Sequence, residues 1–289
     1  MVPKRLIIIS GPTACGKTDL AINLAEKIQT CILSADSRQF YSELNIGSAK
    51  PGLDQLAQVQ HYFIGHKSIH DIYTVADYES DAISLLDELF KTNDQVILTG
   101  GSTLFINAVE KGLDAMPPIS EEVREKVQQI FTYQGIELLQ ELIREKDPEY
   151  AAVVDMNNPR RLMRASEVIL ETNLPFSHFR SGKSKSRNFK LIKLLIDLER
   201  DQLYQNINMR VQKMIEMGLE TEVSGLLNFI HLRPLQTVGY QEWIPYFDQK
   251  IPLQEVSDLI AQHTRNYAKR QLTWFRNNPG WQIWKDGLI

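Results

Sequence analysis

The chain has 289 residues, of which 43% are hydrophobic and 24% are charged, and its formal net charge is −4. This composition is typical of globular proteins and excludes a disordered, collagen-like or coiled-coil chain. No apolar run approaches the ~18 residues that a membrane span needs, so we expect no membrane association. With only Cys15 and Cys31, a disulfide framework and a cysteine zinc site are excluded, and we expect the reducing cytoplasm as the compartment.

The first part of the chain alternates short apolar runs with helical patterns. Apolar runs at 6–9, 31–35 and 95–98 predict buried parallel strands. Apolar residues at helical spacing predict helices over 17–28 and 75–90, the second with Thr74 as its N-cap. Because strands that alternate with helices are typical of a doubly wound parallel sheet, the predicted fold class is α/β.

A helical segment interrupts this alternation. The pair Pro117-Pro118 breaks the pattern, residues 120–173 have helical periodicity throughout, and residues 181–188 have the composition of a linker. A strand pattern resumes at 190–196, and helices follow it. We therefore predict an α/β core with an all-helical insertion domain. The predicted divisions are core residues 1–116, the insertion at 117–187, and the continued core at 188–289.

Two helical details of the last part of the chain also give predictions. Met209, Met214 and Met217 lie on an amphipathic helical pattern and are predicted to fill the core. Trp274 and Phe275 are predicted to pack against neighbouring helices rather than to stack on nucleic-acid bases.

Basic residues are concentrated in the second part of the chain. Residues 1–159 have an acidic excess, whereas residues 160–289 have a basic one. Two basic patches on an acidic protein predict a polyanionic partner at one face, although a solvated helix face explains the charges equally well. The two clusters comprise Arg160, Arg161, Arg164, Arg180, Lys183, Lys185, Arg187 and Lys190, and then Arg265, Lys269, Arg270 and Arg276.

A phosphate-binding motif follows the first predicted strand. The run Gly11-Pro12-Thr13-Ala14-Cys15-Gly16-Lys17-Thr18 fits G-x-x-x-x-G-K-[ST] and lies between a strand and a helix, as this motif requires. In such a loop the backbone amides surround phosphate oxygens, while Lys17 neutralises phosphate charge. The Thr18 hydroxyl is placed to hold Mg²⁺. A glycine-rich turn without a ligand is the alternative, but the context favours binding of a di- or triphosphate.

Asp36 follows the second predicted strand. A P-loop NTPase holds its Mg²⁺ through an acidic residue at the end of a further strand, but here the third predicted strand ends in Thr99-Gly100-Gly101-Ser102. Because ligands of open α/β sheets lie at the carboxyl ends of the strands, we expect the phosphate loop, Asp36 and this turn to face one crevice. From its position alone, Asp36 could hold a metal, cap a helix or act as a base.

Seven sequence runs resemble those of the bacterial tRNA dimethylallyltransferases, also called tRNA isopentenyltransferases, in the same order and over nearly the whole chain. The resemblance implies transfer of a dimethylallyl group from dimethylallyl diphosphate to N6 of the adenine 3′ of the anticodon, with release of diphosphate. It implies Mg²⁺ as the cofactor and the tRNA anticodon stem-loop as the partner, and we expect a monomer. The runs are residues 11–18, 36–41, 45–51, 100–102, 158–161, 238–240 and 268–271.

The resemblance also implies roles for individual residues. Asp36 is the general base, Lys17 and Ser102 are further catalytic residues, and Arg265 is a candidate for contact with the diphosphate held by residues 11–18. The resemblance also implies that tRNA is the polyanionic partner of the basic residues Arg160, Arg161 and Arg164. The residues implied to contact tRNA are Asp36, Ser37, Arg38, Gln39, Ser102, Arg124, Pro159, Arg160, Arg161, Leu162, Met163, Arg164, Gln236, Thr237, Val238, Gly239, Tyr240 and Gln241.

Two other functions remain open at this stage. A P-loop small-molecule kinase would use the same phosphate loop and bind ATP, but it would leave the basic insertion and the run at 36–41 unexplained. The other alternative is a catalytically silent RNA-binding protein. It would require that the phosphate loop and Asp36 no longer have a function. The departures from the family pattern bear on affinity rather than reaction class. They are Ser102 in place of Thr, Phe105 in place of Tyr, Asn266 in place of Gln, and Gln241 in place of an often basic residue.

Overall fold

The computed structural model describes residues 3–284, and within that range the chain forms a six-stranded sheet. The strands are β1 (Arg5–Ser10), β2 (Ile32–Ser34), β3 (His61–Tyr62), β4 (Gln95–Gly100), β5 (Lys190–Leu195) and β6 (Gln282–Ile283). Their order across the sheet is β3-β2-β4-β1-β5-β6, and all neighbours are parallel. The predicted α/β class with a parallel sheet is therefore confirmed.

The two outermost strands, β3 and β6, were not predicted. Each has only two residues, which is too short for an alternation or an apolar run to be visible in the sequence. They add one edge pairing each, β3 to β2 and β6 to β5. β3 thus extends the sheet beyond β2, and β6 extends it beyond β5.

The central strand β1 is buried on both faces. Leu6 and Ile8 belong to a hydrophobic cluster on one side of the sheet, whereas Ile7 and Ile9 belong to a cluster on the other. Because successive side chains of a strand point to opposite faces, only a sheet covered by helices on both sides buries all four. This explains why the sequence shows an uninterrupted apolar run here.

Helices cover the sheet and also build a second unit. The helices are α1 (Lys17–Ile28), α2 (Leu53–Gln58), α3 (Val75–Thr92), α4 (Thr103–Lys111), α5 (Glu121–Gln134), α6 (Glu137–Lys146), α7 (Pro148–Ala151), α8 (Pro159–Thr172), α9 (Arg200–Glu216), α10 (Leu219–Leu226), α11 (Ile244–Phe247) and α12 (Leu253–Asn277). Thr74 caps α3 as predicted, because its hydroxyl accepts a hydrogen bond from the Asp77 amide (3.2 Å). Of the helices between residues 3 and 284, none is long and apolar enough to cross a membrane.

The chain divides into two compact units: Lys111–Lys185, here called the helical unit, and the remainder, here called the core unit. The helical unit contains α5 to α8 and has its own hydrophobic core, which includes Val127, Ile143 and Leu162. Its limits lie a few residues before the predicted 117 and 187. The reason is a backbone hydrogen bond from Lys185 N to Lys111 O (2.7 Å), which closes the unit where the two connecting segments meet.

Candidate active site

The phosphate loop connects β1 to α1, and its glycines meet two different requirements. Gly16, at the N-cap of α1, has a φ of 89°, a left-handed conformation that glycine adopts without steric cost. At Gly11 the requirement is space, since a Cβ there would lie 2.7 Å from Cys15 Sγ and 2.8 Å from the Ile196 carbonyl oxygen. The sequence therefore folds this loop tightly enough to present its amides at the start of a helix.

Cationic side chains lie at this loop, and one of them was not predicted. Lys17 Nζ donates to the Pro12 carbonyl (3.4 Å), so its ammonium group lies over its own loop. Arg210 of α9 donates through Nη1 to the Thr13 hydroxyl (3.2 Å). Burial lowers the pKa of Arg210, while the nearby Cys15 and Asp36 act in the opposite direction. Arg210 was missed because it is distant in sequence and belongs to none of the recognised runs.

Gln271 of α12 connects the phosphate loop to the turn after β4. Its side-chain oxygen accepts from the Thr13 amide (2.8 Å), and its side-chain nitrogen donates to the Gly101 carbonyl (2.7 Å). Gln271 is buried, so both bonds are shielded from water. The run at 268–271 therefore includes a side chain that holds two parts of the candidate site together.

Asp36 lies at the carboxyl end of β2, beside the turn that follows β4. The Asp36 carboxylate accepts a hydrogen bond from the Arg38 amide (3.1 Å), which fixes the start of a short turn. The Ser102 hydroxyl accepts from the Ser37 amide (3.1 Å), so the ends of β2 and β4 meet at these residues. Both Asp36 and Ser102 are partly exposed and can be reached by a ligand. Since β4 lies between β2 and β1, the phosphate loop, Asp36 and Ser102 follow three adjacent strands.

Tyr267 of α12 adds a hydroxyl to this group that the sequence analysis did not assign. It shares a hydrogen bond with Ser102 and donates to the Gly101 carbonyl at 3.4 Å. Burial and the negative charge of Asp36 raise the pKa of Tyr267 to about 12. The phenol is therefore neutral at physiological pH and can act as a hydrogen-bond donor beside Ser102.

Arg265 lies on α12 but contacts α9 rather than the phosphate loop. Its Nη1 donates to the Asn208 side chain (2.8 Å), and its guanidinium carbon lies 5.9 Å from the ring centroid of Tyr204. In this arrangement Arg210, not Arg265, is the arginine that touches the loop. The role of Arg265 at the diphosphate stays a prediction.

Several residues implied to contact tRNA have their side chains occupied within the core unit. The Gln39 amide donates to the Ala49 carbonyl (3.0 Å) and accepts from the Ser34 hydroxyl (3.0 Å). Tyr240 is fully buried and donates its hydroxyl to Glu222 (2.8 Å). Any RNA contact at Gly239 and Tyr240 would thus involve backbone atoms, whereas Gln236 and Gln241 are exposed.

Glu222 of α10 explains why two of the recognised runs occur together. Its carboxylate accepts hydrogen bonds from the amides of Asn45, Ile46 and Gly47, at 3.2, 2.8 and 3.0 Å, and from the hydroxyl of Tyr240. The loop at 45–51 and the segment at 238–240 are therefore held by one carboxylate. The sequence pattern of these two runs therefore has a structural reason, because both segments bond to Glu222 within the core unit.

In the helical unit, α8 carries the predicted basic face. Arg160 and Arg161 are exposed in its first turn, while Arg164 pairs with Glu167 (3.1 Å). Leu162 has no exposed surface and packs in the core of this unit, so its side chain supports the helix instead of facing RNA. Arg124 of α5 is also exposed.

Arg187 does not belong to an exposed basic surface, although the sequence placed it in the first cluster. Its guanidinium forms a buried ion pair with Glu79 (2.9 Å) and donates to the carbonyls of Ala108 and Val109. These contacts bind the chain segment after the helical unit to the end of α4. The charge of Arg187 is therefore structural.

A cavity of about 700 Å³ opens beside the phosphate loop within the core unit. It is lined by Ala14 and Gly16 of the loop and by Arg210, and Met209 and Met217 form part of its wall. The prediction that these methionines fill the core is wrong, since Met209 is 54% and Met217 68% exposed. They face the cavity because this side of α9 is turned away from the sheet. Phe275, in contrast, is buried as predicted.

Comparison with known proteins gives consistent matches over most of the chain. The family model described as IPP transferase matches residues 39–278. A tRNA dimethylallyltransferase of Christiangramia forsetii is 46% identical over 274 residues, which cover 95% of this chain and 91% of that protein. A tRNA dimethylallyltransferase 1 of Bacteroides thetaiotaomicron is 41% identical, with 94% and 89% covered.

Solved structures agree with these matches. The full-length tRNA isopentenylpyrophosphate transferase from Bacillus halodurans superposes with a TM-score of 0.70 at 33% identity, covering 97% of this chain and 89% of that one. A eukaryotic dimethylallyltransferase acting on tRNA has a TM-score of 0.80 at 22% identity, covering 94% of this chain and 69% of that one, and supports the fold. The phosphate loop, Asp36 and Ser102 thus lie in a fold shared with enzymes of this type. The chain belongs to the IPP transferase family, together with the tRNA dimethylallyltransferases to which it is similar.

Proposed function

We propose that this chain transfers the dimethylallyl group of dimethylallyl diphosphate to N6 of the adenine 3′ of the anticodon in tRNA. The observation that carries the proposal is the meeting of a phosphate loop, a carboxylate and a hydroxyl after three adjacent strands, β1, β2 and β4. No carboxylate follows β4, where an enzyme that activates a nucleophile on a γ-phosphate would place one. Membership of the family favours this transfer over the kinase alternative.

The donor diphosphate would bind at the phosphate loop. As the allylic C1–O bond breaks, the bonding electrons leave with the diphosphate, and negative charge grows on its oxygens. The loop amides, Lys17 and Arg210 are placed to stabilise that charge, a kind of interaction that supplies much of many enzymes' rate enhancement. The cavity beside the loop offers a route for the donor, because the thioether side chains of Met209 and Met217 suit a hydrocarbon chain.

The acceptor amine would be activated by Asp36. The lone pair of adenine N6 forms the new bond to C1, and the proton that N6 loses passes to an Asp36 carboxylate oxygen, as in general base catalysis. Ser102 and Tyr267 offer hydroxyl groups next to this carboxylate that can orient the base. The adenine must leave the stack of the anticodon loop to reach a partly buried carboxylate, as in other base-modifying enzymes.

The residues at the loop also fit a magnesium ion. The donor set consists of oxygens, namely the Thr18 hydroxyl and the diphosphate itself, and Mg²⁺ is often held by few protein ligands together with substrate phosphates. Within residues 3–284, no group of three or more His, Cys, Asp or Glu side chains is arranged to hold a metal ion. When bound, Mg²⁺ would neutralise charge on the diphosphate.

The tRNA anticodon stem-loop would be held by exposed basic residues. Arg160 and Arg161 of α8 are exposed for phosphate contacts in the helical unit, and so is Arg124 of α5, although it pairs with Glu121 at 3.6 Å. In the core unit, Ser37 and Arg38 adjoin Asp36. We also propose that the enzyme acts as a monomer in the cytoplasm.

A transfer assay tests this proposal. The protein is incubated with Mg²⁺, unmodified tRNA and dimethylallyl diphosphate labelled in its hydrocarbon part, and nucleosides from the digested tRNA are analysed by mass spectrometry. We expect one labelled adenosine, 3′ of the anticodon, and release of diphosphate. Saturable ATP binding with phosphoryl transfer, and no label in the tRNA, would refute the proposal in favour of a kinase.

A further inference from the structure

Three arginines lie near the turn that carries Asp36 or near Tyr267, and two of them, Arg233 and Arg270, have no role so far. Arg38 Nη1 donates to the Arg233 carbonyl (3.5 Å), so the segment that carries Arg233 lies directly beside the turn formed by Asp36 and Arg38. On another side, the guanidinium carbon of Arg270 lies 5.7 Å from the ring centroid of Tyr267. Tyr267 in turn bonds Ser102. Arg38, Arg233 and Arg270 are called here the arginine collar.

Between residues 3 and 284, no ion pair neutralises the positive charges of the arginine collar. In the part of the chain that the structure describes, no carboxylate pairs with Arg38, Arg233 or Arg270 at salt-bridge distance. Arg233 and Arg270 are exposed. Burial lowers the pKa of Arg38 and the neighbouring charge of Arg233 acts in the same direction, whereas Tyr41, Asp36 and Tyr267 act in the opposite direction. Arg38 lies near both Asp36 and Arg233, and Arg270 lies beside Tyr267, so the positive charge around this one carboxylate indicates an anionic ligand that completes the charge balance.

We propose that Arg233 and Arg270 bind the RNA phosphates on either side of the adenine that enters the site. This inference rests on the proposed function. When a nucleotide is extruded toward Asp36, its base enters the opening but its two flanking phosphates stay outside, where the backbone continues into the loop. Exposed guanidinium groups at the rim can pair with such phosphates in a bidentate way. The contacts position the nucleotide without reading its sequence.

The sequence alone did not suggest this pair. Arg233 lies outside every run that resembles the family, whereas Arg270 lies in the run at 268–271 and in a basic cluster for which a solvated face was equally acceptable. Only the fold brings residue 233 next to residue 38 and residue 270 next to the Ser102 turn. The phosphate contacts are thus a property of the tertiary structure.

The test measures binding of a fluorescent anticodon stem-loop RNA at several salt concentrations, without donor. For the double variant Arg233→Gln/Arg270→Gln we expect the salt slope of log K to become shallower by about 1.4, because each phosphate contact to a single strand contributes about 0.7. Arg276→Gln, which removes an exposed charge from the same helix, is the matched control and keeps the wild-type slope. Arg233→Lys/Arg270→Lys restores most of the slope, because the charges return.

A second measurement locates the contacts on the RNA. Neutral methylphosphonates replace the two phosphates that flank the target adenosine. We expect them to weaken wild-type binding about as much as the double variant does, and to weaken the double variant little further, because both changes remove the same contacts. Fully additive losses, or equal salt slopes for the double variant and Arg276→Gln, would overturn the proposal.

The same samples separate this inference from the proposed function. Transfer of label from dimethylallyl diphosphate is followed in parallel with RNA binding. Wild-type protein that binds the stem-loop through the arginine collar but transfers no label would refute the proposed reaction while retaining the phosphate contacts. Wild-type protein that transfers label, with RNA binding that Arg233 and Arg270 do not affect, would refute the contacts and retain the reaction.

Discussion

The core unit and the helical unit hold their candidate functional residues in different ways. In the core unit, Asp36 and Ser102 lie in short turns at strand ends, and backbone amides bond both of them. In the helical unit, Arg160 and Arg161 project from the exposed face of a helix whose other face is buried. Positions that take part in bond breaking need fixed geometry, whereas phosphate contacts tolerate mobile side chains. We therefore expect steep effects on turnover in one unit and graded effects on affinity in the other.

The largest expected effect is that of Asp36→Asn in the core unit. The variant keeps the shape and loses the base, so kcat should fall ~10²–10⁴-fold while binding of donor and RNA changes little. Steady-state transfer at saturating donor and RNA measures kcat, and Asp94→Asn, a change at an exposed aspartate, is the control. Turnover near that of the wild type would show that Asp36 only shapes the turn.

Arg187→Met should have the next largest effect, on stability rather than binding. It removes one partner of the buried pair with Glu79, a change that costs about 3–5 kcal/mol. Urea unfolding gives the free energy, and Lys91→Met, which breaks the exposed pair with Glu88, should cost under ~1 kcal/mol. If the Arg187→Met protein has normal stability but binds RNA more weakly, Arg187 is an RNA contact and its charge is not structural.

Arg210→Gln should affect the donor and leave the RNA unaffected. Losing a charged partner of the diphosphate at the phosphate loop should raise the KM for dimethylallyl diphosphate ~10–100-fold, the value of a hydrogen bond to a charged group. Steady-state kinetics with varied donor measure this effect. Arg265→Gln is the informative companion, because a larger increase there than at Arg210 would favour the residue that the sequence predicted.

The smallest effect per residue is expected on the α8 face of the helical unit. Replacing Arg160, Arg161 and Arg164 together by Ala should lower the salt slope of tRNA binding by about 2, with Arg164 contributing least because it pairs with Glu167. Donor affinity and stability should hardly change. A slope equal to that of the wild type would mean that this face is only solvated.

Local patterns were sufficient for much of the core unit. The apolar run at 6–9 and the glycines and lysine that follow it predicted a buried strand, a phosphate loop and a helix that starts at Lys17, and all three are present. This worked because each feature depends on residues adjacent in the chain. The parallel order of strands then brought Asp36 and Ser102 to one edge, as expected for an open α/β sheet.

Long-range packing decided the remainder. Arg210, Gln271 and Tyr267 reach the site from helices more than 100 residues after the phosphate loop in sequence, so no local spacing could assign them. Packing likewise turned Met209 and Met217 toward a cavity, although helical periodicity predicted a core position.

The sequence by itself determined the fold class, the phosphate loop and the family, because these depend on short ordered runs of residues. Only the tertiary structure decided which charges remain available. Arg187 forms a buried ion pair with Glu79, whereas Arg233 and Arg270 form no ion pair within residues 3–284 and lie beside Arg38 and Tyr267. The physical reason is that the free energy of a charge depends on its burial and its partners, and both are set by elements far apart in the chain.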